Sequence, residues 1–466
     1  MQRVDSSVLD NAYRGSGSRP FNPRQLLAVA MYCVLRGSTS PANWCRQAKD
    51  SKACELLARG YRPSRTAWYY FRDRCGKFID QIHEQLVKQA CEEKLIDAEQ
   101  GILDGTFYAA NASRHHLLNL TQISRRLATL KHTIQQTDDP TQVAPRGPKV
   151  KSRKVAPTPV GRKRQLKHLR AAKHRLLQEI QENSRRPKAY QRDETKMCLA
   201  VADIDAVKGK DKRGVVRPLY NFQAMIDGGS DLILSYGVFR QNNDAGVLGT
   251  MIDRAHRVLK GAQKPLQVVH ADSGYAKVLE IRDATARGVE LYAPVQTYVS
   301  GTGKSRSGDP LLASTDFAFD VGTQELVCPG GHLMRRVSRS RVPRANGREV
   351  IELRYEQSVA NCAACPLADR CLQTKSKRRT IRRLEDQPLL DELTEKMKAE
   401  SGRESCRVRK NVERRFGDRQ KHRGGEQLSG RGIERAQTEA AIIAVAQNML
   451  AIINLRKNKQ KHMALS

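Results

Sequence analysis

Hydrophobic positions along this chain alternate between helical and strand-like spacing, and each change marks a new element. Residues 1–98 read as helical. In Pro23–Arg36, Leu26, Leu27, Ala30, Met31 and Val34 recur at three- and four-residue spacing. Ser38–Pro41 interrupts the pattern, Asn43–Arg59 resumes it, and Pro63 or Ser64 opens a third helix carrying Arg65, Trp68, Phe71, Arg72 and Arg74. Several short helices with a basic last one suit a helix-turn-helix bundle, with Arg65, Arg72 and Arg74 as DNA-recognition candidates. A plain helical packing domain fits the same pattern.

The helical period returns between Asn111 and Tyr190. Leu117, Leu120, Ile123, Leu127, Leu130 and Ile134 form one stripe, and Leu166, Leu169, Leu176 and Ile180 form another. Asp138–Gly161 between them is rich in Pro, Gly and basic residues, so the segment predicts an antiparallel helical hairpin with a flexible tip. Elsewhere short apolar runs predict strands at Gly101–Leu103, Met197–Ala202, Tyr220–Ile226, Leu232–Phe239 and Leu266–His270, with a helix over Ala245–Leu259. A long helix over Glu434–Asn454 is expected to cover one face of that sheet through Ile442, Ile443, Val445, Ala446, Met449 and Ile453.

Charge narrows the class of partner. The chain has 466 residues, enough for two or three domains, and a formal net charge of +34. Ala144–Tyr190 alone holds 15 Lys and Arg against 2 Glu. Such a run is either a solvated face or a contact for a phosphate backbone, and its density favours double-stranded DNA. Only 5% of residues are aromatic, which argues against base stacking as the main grip. The N-terminus is polar, and the most apolar stretch, Ala440–Ile453, is interrupted by Gln447 and Asn448. No membrane span or secretion signal is therefore expected. Eleven cysteines without a signal suit reduced thiols and a cytoplasmic, nucleoid-associated protein.

Three acids stand out by their settings. Asp104 and Asp272 each follow a short apolar run and precede Gly or Ser, as at strand ends, while Glu413 sits in a charged, helix-compatible stretch. Two Asp and a Glu are the hard-oxygen set that two Mg²⁺ (or Mn²⁺) ions take for phosphoryl transfer. Asp244, in RQNNDAG, is an accessory candidate or a helix N-cap. A second donor set is sulfur: Cys328 in CPGGH, then Cys362, Cys365 and Cys371. Its spacing suits a structural Cys₄ Zn²⁺ ribbon, with His332 as a substitute ligand and packing thiols as the alternative.

The segments DGTFYAANAS, HADSGYA and RKNVERRFGDRQKHRGGEQLSGRG carry a resemblance to the catalytic blocks of DDE transposases from bacterial insertion sequences. The likeness is to the IS-four/IS-five-like supergroup and, within it, the eleven-eighty-two type. The supergroup's last block has Tyr, Arg, Glu and Lys where this chain has Cys406, Arg409, Glu413 and Gln420, with Lys421 one place beyond. The resemblance, spread from about Phe21 to about Asn454, implies catalytic and Mg²⁺-binding roles for Asp104, Asp272 and Glu413. It also makes Arg409, Arg414 and Lys421 the candidates for binding DNA phosphates. Arg409 could equally pair with Glu413 one turn away. A similar cysteine cluster recurs in these transposases.

The fold expected is α/β, with an RNase H-like catalytic core over 99–116, 196–305 and 381–466. To this are added an N-terminal helical domain (1–98), a basic helical-hairpin insertion (117–195) and a Cys-rich, zinc-ribbon-like insertion (306–380). The expected activity is metal-dependent cutting of element ends and strand transfer to target DNA, by a homo-oligomer on DNA. The alternatives are a DNA-binding relative without strand transfer and an RNase H-fold nuclease.

Overall fold

Ser64 and Ser40 show how local chemistry sets the helices in this computed structural model. The Ser64 side chain accepts from the Ala67 N–H at 3.2 Å and opens the helix Arg65–Glu92; Ser40 accepts from the Asn43 N–H at 3.2 Å. The structure describes residues 5, 7–13, 21–137, 155–186, 188, 191–296, 305–320, 322–344, 347–410 and 427–465. The chain is mixed α/β and separates into two compact units. One comprises residues 1–244, 250–267 and 408–466, and the other residues 245–249 and 268–407.

The first unit begins with α1 (Pro23–Leu35), α2 (Pro41–Asp50), α3 (Lys52–Leu57) and α4 (Arg65–Glu92). The single helix expected over Asn43–Arg59 is two helices. Ser51 takes an extended backbone (φ −108°, ψ 120°) and caps the second of them. Trp44, Trp68 and Phe71 meet edge-on, with ring centroids 6.2–6.4 Å apart, at the centre of this bundle. Gly76 lets α4 approach the C-terminal helix (Ile433–Leu465), since a Cβ there would stand 2.1 Å from Thr438 Oγ1.

Against these helices lies an antiparallel sheet of β1 (Gln100–Ala109), β4 (Val207–Lys210), β5 (Val216–Asp227) and β6 (Ile233–Phe239). β5 pairs with β1 along one edge and with β4 and β6 along the other. The C-terminal helix packs on β6, α1 and α4. Instead of covering one face with one stripe, it is buried on all sides from Ala440 to Ala446, and Ile453 is exposed. Over Ile433–Met463 this helix is long and apolar enough to cross a membrane, contrary to the expectation of no span, but 67% of its most apolar stretch is buried inside the fold. Packing accounts for its apolarity. Asn448 joins it to β6, accepting from the Ile233 N–H at 2.8 Å and donating to Ile233 O at 2.9 Å.

α5 (Leu120–Thr137) and α6 (Pro159–Ser184) pack together as the spacing predicted, around Ile123, Leu127, Leu130, Leu169 and Leu176. Of the expected flexible tip, Asp138–Gly161, residues 138–154 lie outside the described residues, and α6 already begins at Pro159. The strand expected at Met197–Ala202 is a three-residue strand, β3 (Cys198–Ala200), and it is absent from the main sheet among the described residues. It pairs with β2 (Leu117–Asn119) because Met197 and Leu199 are buried in the hairpin's core.

The second unit contains a parallel pair, β7 (Val268–His270) and β8 (Glu290–Tyr292), with α8 (Val278–Thr285) and α11 (Gln387–Lys398) packed on it. It also contains an antiparallel sheet that the hydrophobic pattern did not announce. Its strands run β9 (Ala318–Phe319), β10 (Leu326–Val327), β11 (Leu333–Pro343), β12 (Glu349–Glu356) and β13 (Thr380–Leu384) in spatial order. Phe317, Leu326, Met334, Leu353, Tyr355 and Ile381 form its core. Two short helices, α9 (Val359–Ala363) and α10 (Ala368–Cys371), carry three of the clustered cysteines at or beside their ends.

Candidate active site

Asp104 lies in the middle of β1, not at a strand end: the strand runs on to Ala109, and Asp104 stands opposite Ala224 of β5. The apolar run Gly101–Leu103 marked only its first half. Asp104 is partly buried, and its Oδ1 accepts from the Gly105 N–H at 2.7 Å. Gly105 is required by a close approach. A Cβ there would come within 2.1 Å of Gln223 Nε2 and 3.1 Å of Asp244 Oδ1. Asp244 Oδ1 accepts from Gln223 at 2.8 Å and Asn221 at 3.0 Å, so this carboxylate is tied to the strand face opposite to that of Asp104. It is not the N-cap of the following helix, α7 (Leu248–Lys260).

Asp272 belongs to the second unit, two residues past β7. Its side chain caps the short 3-10 turn Ser273–Tyr275, accepting from the Gly274 N–H at 2.7 Å. Just before it, the buried His270 meets Ser405 Oγ through Nδ1 at 2.8 Å and stacks on Tyr292. Both aspartates are thus partly buried carboxylates steadied by a backbone N–H, with the hard oxygen donors that suit Mg²⁺. Glu413, Arg414, Gln420 and Lys421 lie outside the described residues. Cys406 and Arg409 are on the helix over residues 400–410, both half-buried.

The chain that follows Glu413 returns to the strand of Asp104. Gln427 bridges Ala109 in parallel register, and the Leu428 N–H donates to Ala109 O at 2.9 Å. Glu439 accepts from Ser429 N–H (2.9 Å), Ser429 O–H (2.6 Å) and Gly430 N–H (2.6 Å). Asp203 accepts from the Gly432 N–H and Asp205 from the Ile433 N–H, both at 3.1 Å. Burial pushes the Glu439 carboxyl up, against the pull of these donors and of Arg72. Sequence reading passed over this clamp. Its one trace is an acid placed directly before the apolar run AAIIAVA.

The proposed DNA-reading arginines divide. Arg65 and Arg74 are exposed on α4, over Tyr69 and over Tyr13 and Tyr70 respectively. Arg72 is 2% exposed, paired with Asp73 at 2.8 Å and facing Glu439 at 3.9 Å, so it holds the bundle and does not reach a base. The helical period places it on the same stripe as Trp68 and Cys75, which are buried.

Cys328, Cys362, Cys365 and Cys371 line one small cavity, with His332 at its edge. Gly330 admits the sulfurs: a Cβ there would stand 3.0 Å from Cys365 Sγ and 3.7 Å from Cys328 Sγ. Burial pushes the Cys371 thiol up, Arg379 pulls it down, and the other three cysteines add to the rise. The donor chemistry fits Zn²⁺. Among the described residues, however, no three His, Cys, Asp or Glu side chains stand at the spacing a bound metal needs, so the thiols are gathered but not drawn in.

Residues 327–453 match the family model described as Transposase DDE domain. The match supports a DDE transposase. It spans the cysteine cluster, the antiparallel sheet from β11 to β13, the third acidic block and most of the C-terminal helix. No curated protein matches the chain.

Proposed function

We propose that this chain is the transposase of a bacterial insertion sequence of the IS-four/IS-five-like supergroup, eleven-eighty-two type. It would cut DNA at the ends of its element and join them to a target. The match of residues 327–453 to the transposase DDE domain carries the reading. Asp104 and Asp272, each oriented by a backbone N–H, support it. On this reading Asp104, Asp272 and Glu413 act as one set on an RNase H-like core and hold two Mg²⁺ or Mn²⁺ ions. Such ions, when bound, make water or a 3′-hydroxyl a better nucleophile and stabilise the leaving oxygen. The protein's share is to fix the carboxylates. Gly105 keeps the Asp104 strand tight against β5, Gln427 and Leu428 are tied to Ala109 of the same strand, and Glu439, Asp203 and Asp205 hold the residues that follow Leu428. Arg409, Arg414 and Lys421 would bind phosphates, as guanidinium and ammonium groups suit phosphate oxygens.

The N-terminal helices and the basic hairpin would hold duplex DNA, the chain acting as a homo-oligomer on element ends and target within the cytoplasm. Cys328, Cys362, Cys365 and Cys371 would take a structural Zn²⁺, which their shared cavity supports. The deciding experiment offers purified protein an oligonucleotide duplex of the element end, once pre-cleaved with a free 3′-hydroxyl and once intact. Asp104→Asn should bind both as wild type does and neither cut nor join, since it removes a charge and almost no volume. Undiminished cleavage by Asp104→Asn would remove the catalytic assignment. Wild-type protein that cuts without joining would instead be an RNase H-fold nuclease.

A further inference from the structure

The antiparallel sheet of the second unit turns its apolar residues to one face and two of its arginines to the other, while Arg336, Arg339, Arg341 and Arg383 are register partners of core-face residues. Leu353, Tyr355 and Ile381 face the core with Phe317 and Met334. Strand alternation therefore directs Arg354 of β12 and Arg382 of β13 to the opposite face. These two arginines are direct partners in the register of the strands, and on the β11 side Arg354 is opposite Ser338. Like charges directly across a ladder destabilise the pairing unless an anion stands between them.

The carboxylates on this face fall short of the arginines. Glu356 alone takes both Arg354 and Arg378, the latter at 2.8 Å. Arg382, 67% exposed, reaches Glu352 only at 3.9 Å. Arg379 lies deeper, at 9% exposure. Its Nη1 and Nη2 donate to the carbonyls of Cys371 (3.0 Å) and Leu312 (2.6 Å), while its Nε has no partner among the described residues. The four arginines line one open groove of about 420 Å³ with Gln373 and Ser376. Among the described residues, no aromatic side chain lines it.

We propose that this groove binds the phosphate backbone of duplex DNA, independently of base sequence. A phosphate between Arg354 and Arg382 converts their repulsion into two charge-assisted contacts, and Arg378 supplies a third. Gln373, Ser376 and Thr380 add neutral donors along the same wall. Without an aromatic platform the groove has nothing on which a base could stack. That the polyanion is DNA rests on the transposase reading; that the site takes phosphate rests on the groove.

The test is a salt series of duplex binding by the full-length protein, read by fluorescence anisotropy on an element-end duplex and a random duplex. Arg378→Ala/Arg382→Ala should flatten the plot of log affinity against log salt by about two, since each phosphate contact contributes about 0.9 to the slope. The flattening should be equal for both duplexes. Arg378→Lys/Arg382→Lys should restore most of it, which also guards against misfolding of the alanine variant. Arg341→Ala/Arg344→Ala removes the same charge from exposed positions elsewhere on the sheet and should leave the slope unchanged. An unchanged slope in the groove variant, or equal flattening in the control, overturns the proposal. So does protection of wild type but not the variant by inorganic phosphate in a thermal melt with no change in duplex binding, which would make the groove a small-anion site. If wild type binds and cuts DNA while the groove variant keeps its slope, the groove assignment alone fails. If wild type binds no duplex, both readings fall.

Discussion

The two units bear their sheets in opposite ways. In the first, β5 is buried at every residue from Leu219 to Ile226, with helices packed on the sheet. Asn221, Gln223 and Asn448 enter that interior with hydrogen-bond partners. In the second, β11 runs for eleven residues with Met334 as its one buried side chain, and the sheet rests on a core of six. The difference separates precision from reach. A carboxylate in a strand buried on all sides is held to one place, whereas a sheet with an open arginine face has side chains to offer a partner but little apolar area to stabilise itself. A small core of that kind is where a metal staple has the most to contribute.

If that contrast is right, removing bound metal should give the largest effect and confine it to the second unit. A chelator added to zinc-loaded protein should abolish that unit's melting transition and expose it to limited proteolysis while the first unit's transition stays in place, because structural Zn²⁺ contributes folding free energy outright. Absence of zinc by elemental analysis, with no chelator effect on either transition, would break the comparison.

Next comes Phe222→Ala, which removes a fully buried ring stacked on Tyr108 at 5.2 Å. It should destabilise the first unit by about 3–5 kcal/mol in a denaturant titration. The cost would be much smaller only if the sheet could collapse onto the gap, contrary to a rigid frame for Asp104.

Acid should then find the first unit through His83. Burial pushes this imidazole down to about 4, although its hydrogen bond to Ile233 O at 2.9 Å opposes the shift. Between about 6.5 and about 4 the unfolded chain binds a proton that the folded one refuses, so stability present above 6.5 is lost as the pH falls. The loss should approach on the order of 3 kcal/mol near pH 4. His83→Gln should remove that part of the pH dependence; an identical acid profile in this variant would show that His83 is not the sensor.

Smaller still is Gly105→Ala, expected to cost about 1–3 kcal/mol as Gln223 is displaced from Asp244. Its value lies in coupling. Cleavage should fall by more than the stability loss explains, since the same shift moves the strand of Asp104. Unaltered activity per folded molecule would show that the Gln223 network does not position the carboxylate.

Legibility followed periodicity. The hairpin α5–α6 was readable because Ile123, Leu127, Leu130, Leu169 and Leu176 keep a helical stripe that needs no distant partner. The sheet β9–β13 was not, because LMRRVSRSRVP offers almost no apolar alternation and its core is assembled from five separate segments of sequence. Asp104 was found by its neighbours in sequence, yet its place mid-strand depends on pairing with Ala224, 120 residues on. Arg72 reads as a DNA-facing cation by its charge, although it shares a helical stripe with Trp68 and Cys75, and only the fold sets Glu439 before it.

What the sequence by itself determined is the inventory: a formal net charge of +34, the serines that start helices at Ser40 and Ser64, and the carboxylate and thiol side chains. Caps, charges and donor atoms act within a few residues of themselves, so they can be read in order along the chain. Tertiary structure alone decided which of them face inward. It buried Arg72 and Glu439 together, set Arg354 against Arg382, gathered four cysteines around one cavity and made the C-terminal helix a core element. Those outcomes depend on which distant surfaces exclude water from one another, and burial is a property of pairs of segments, never of one.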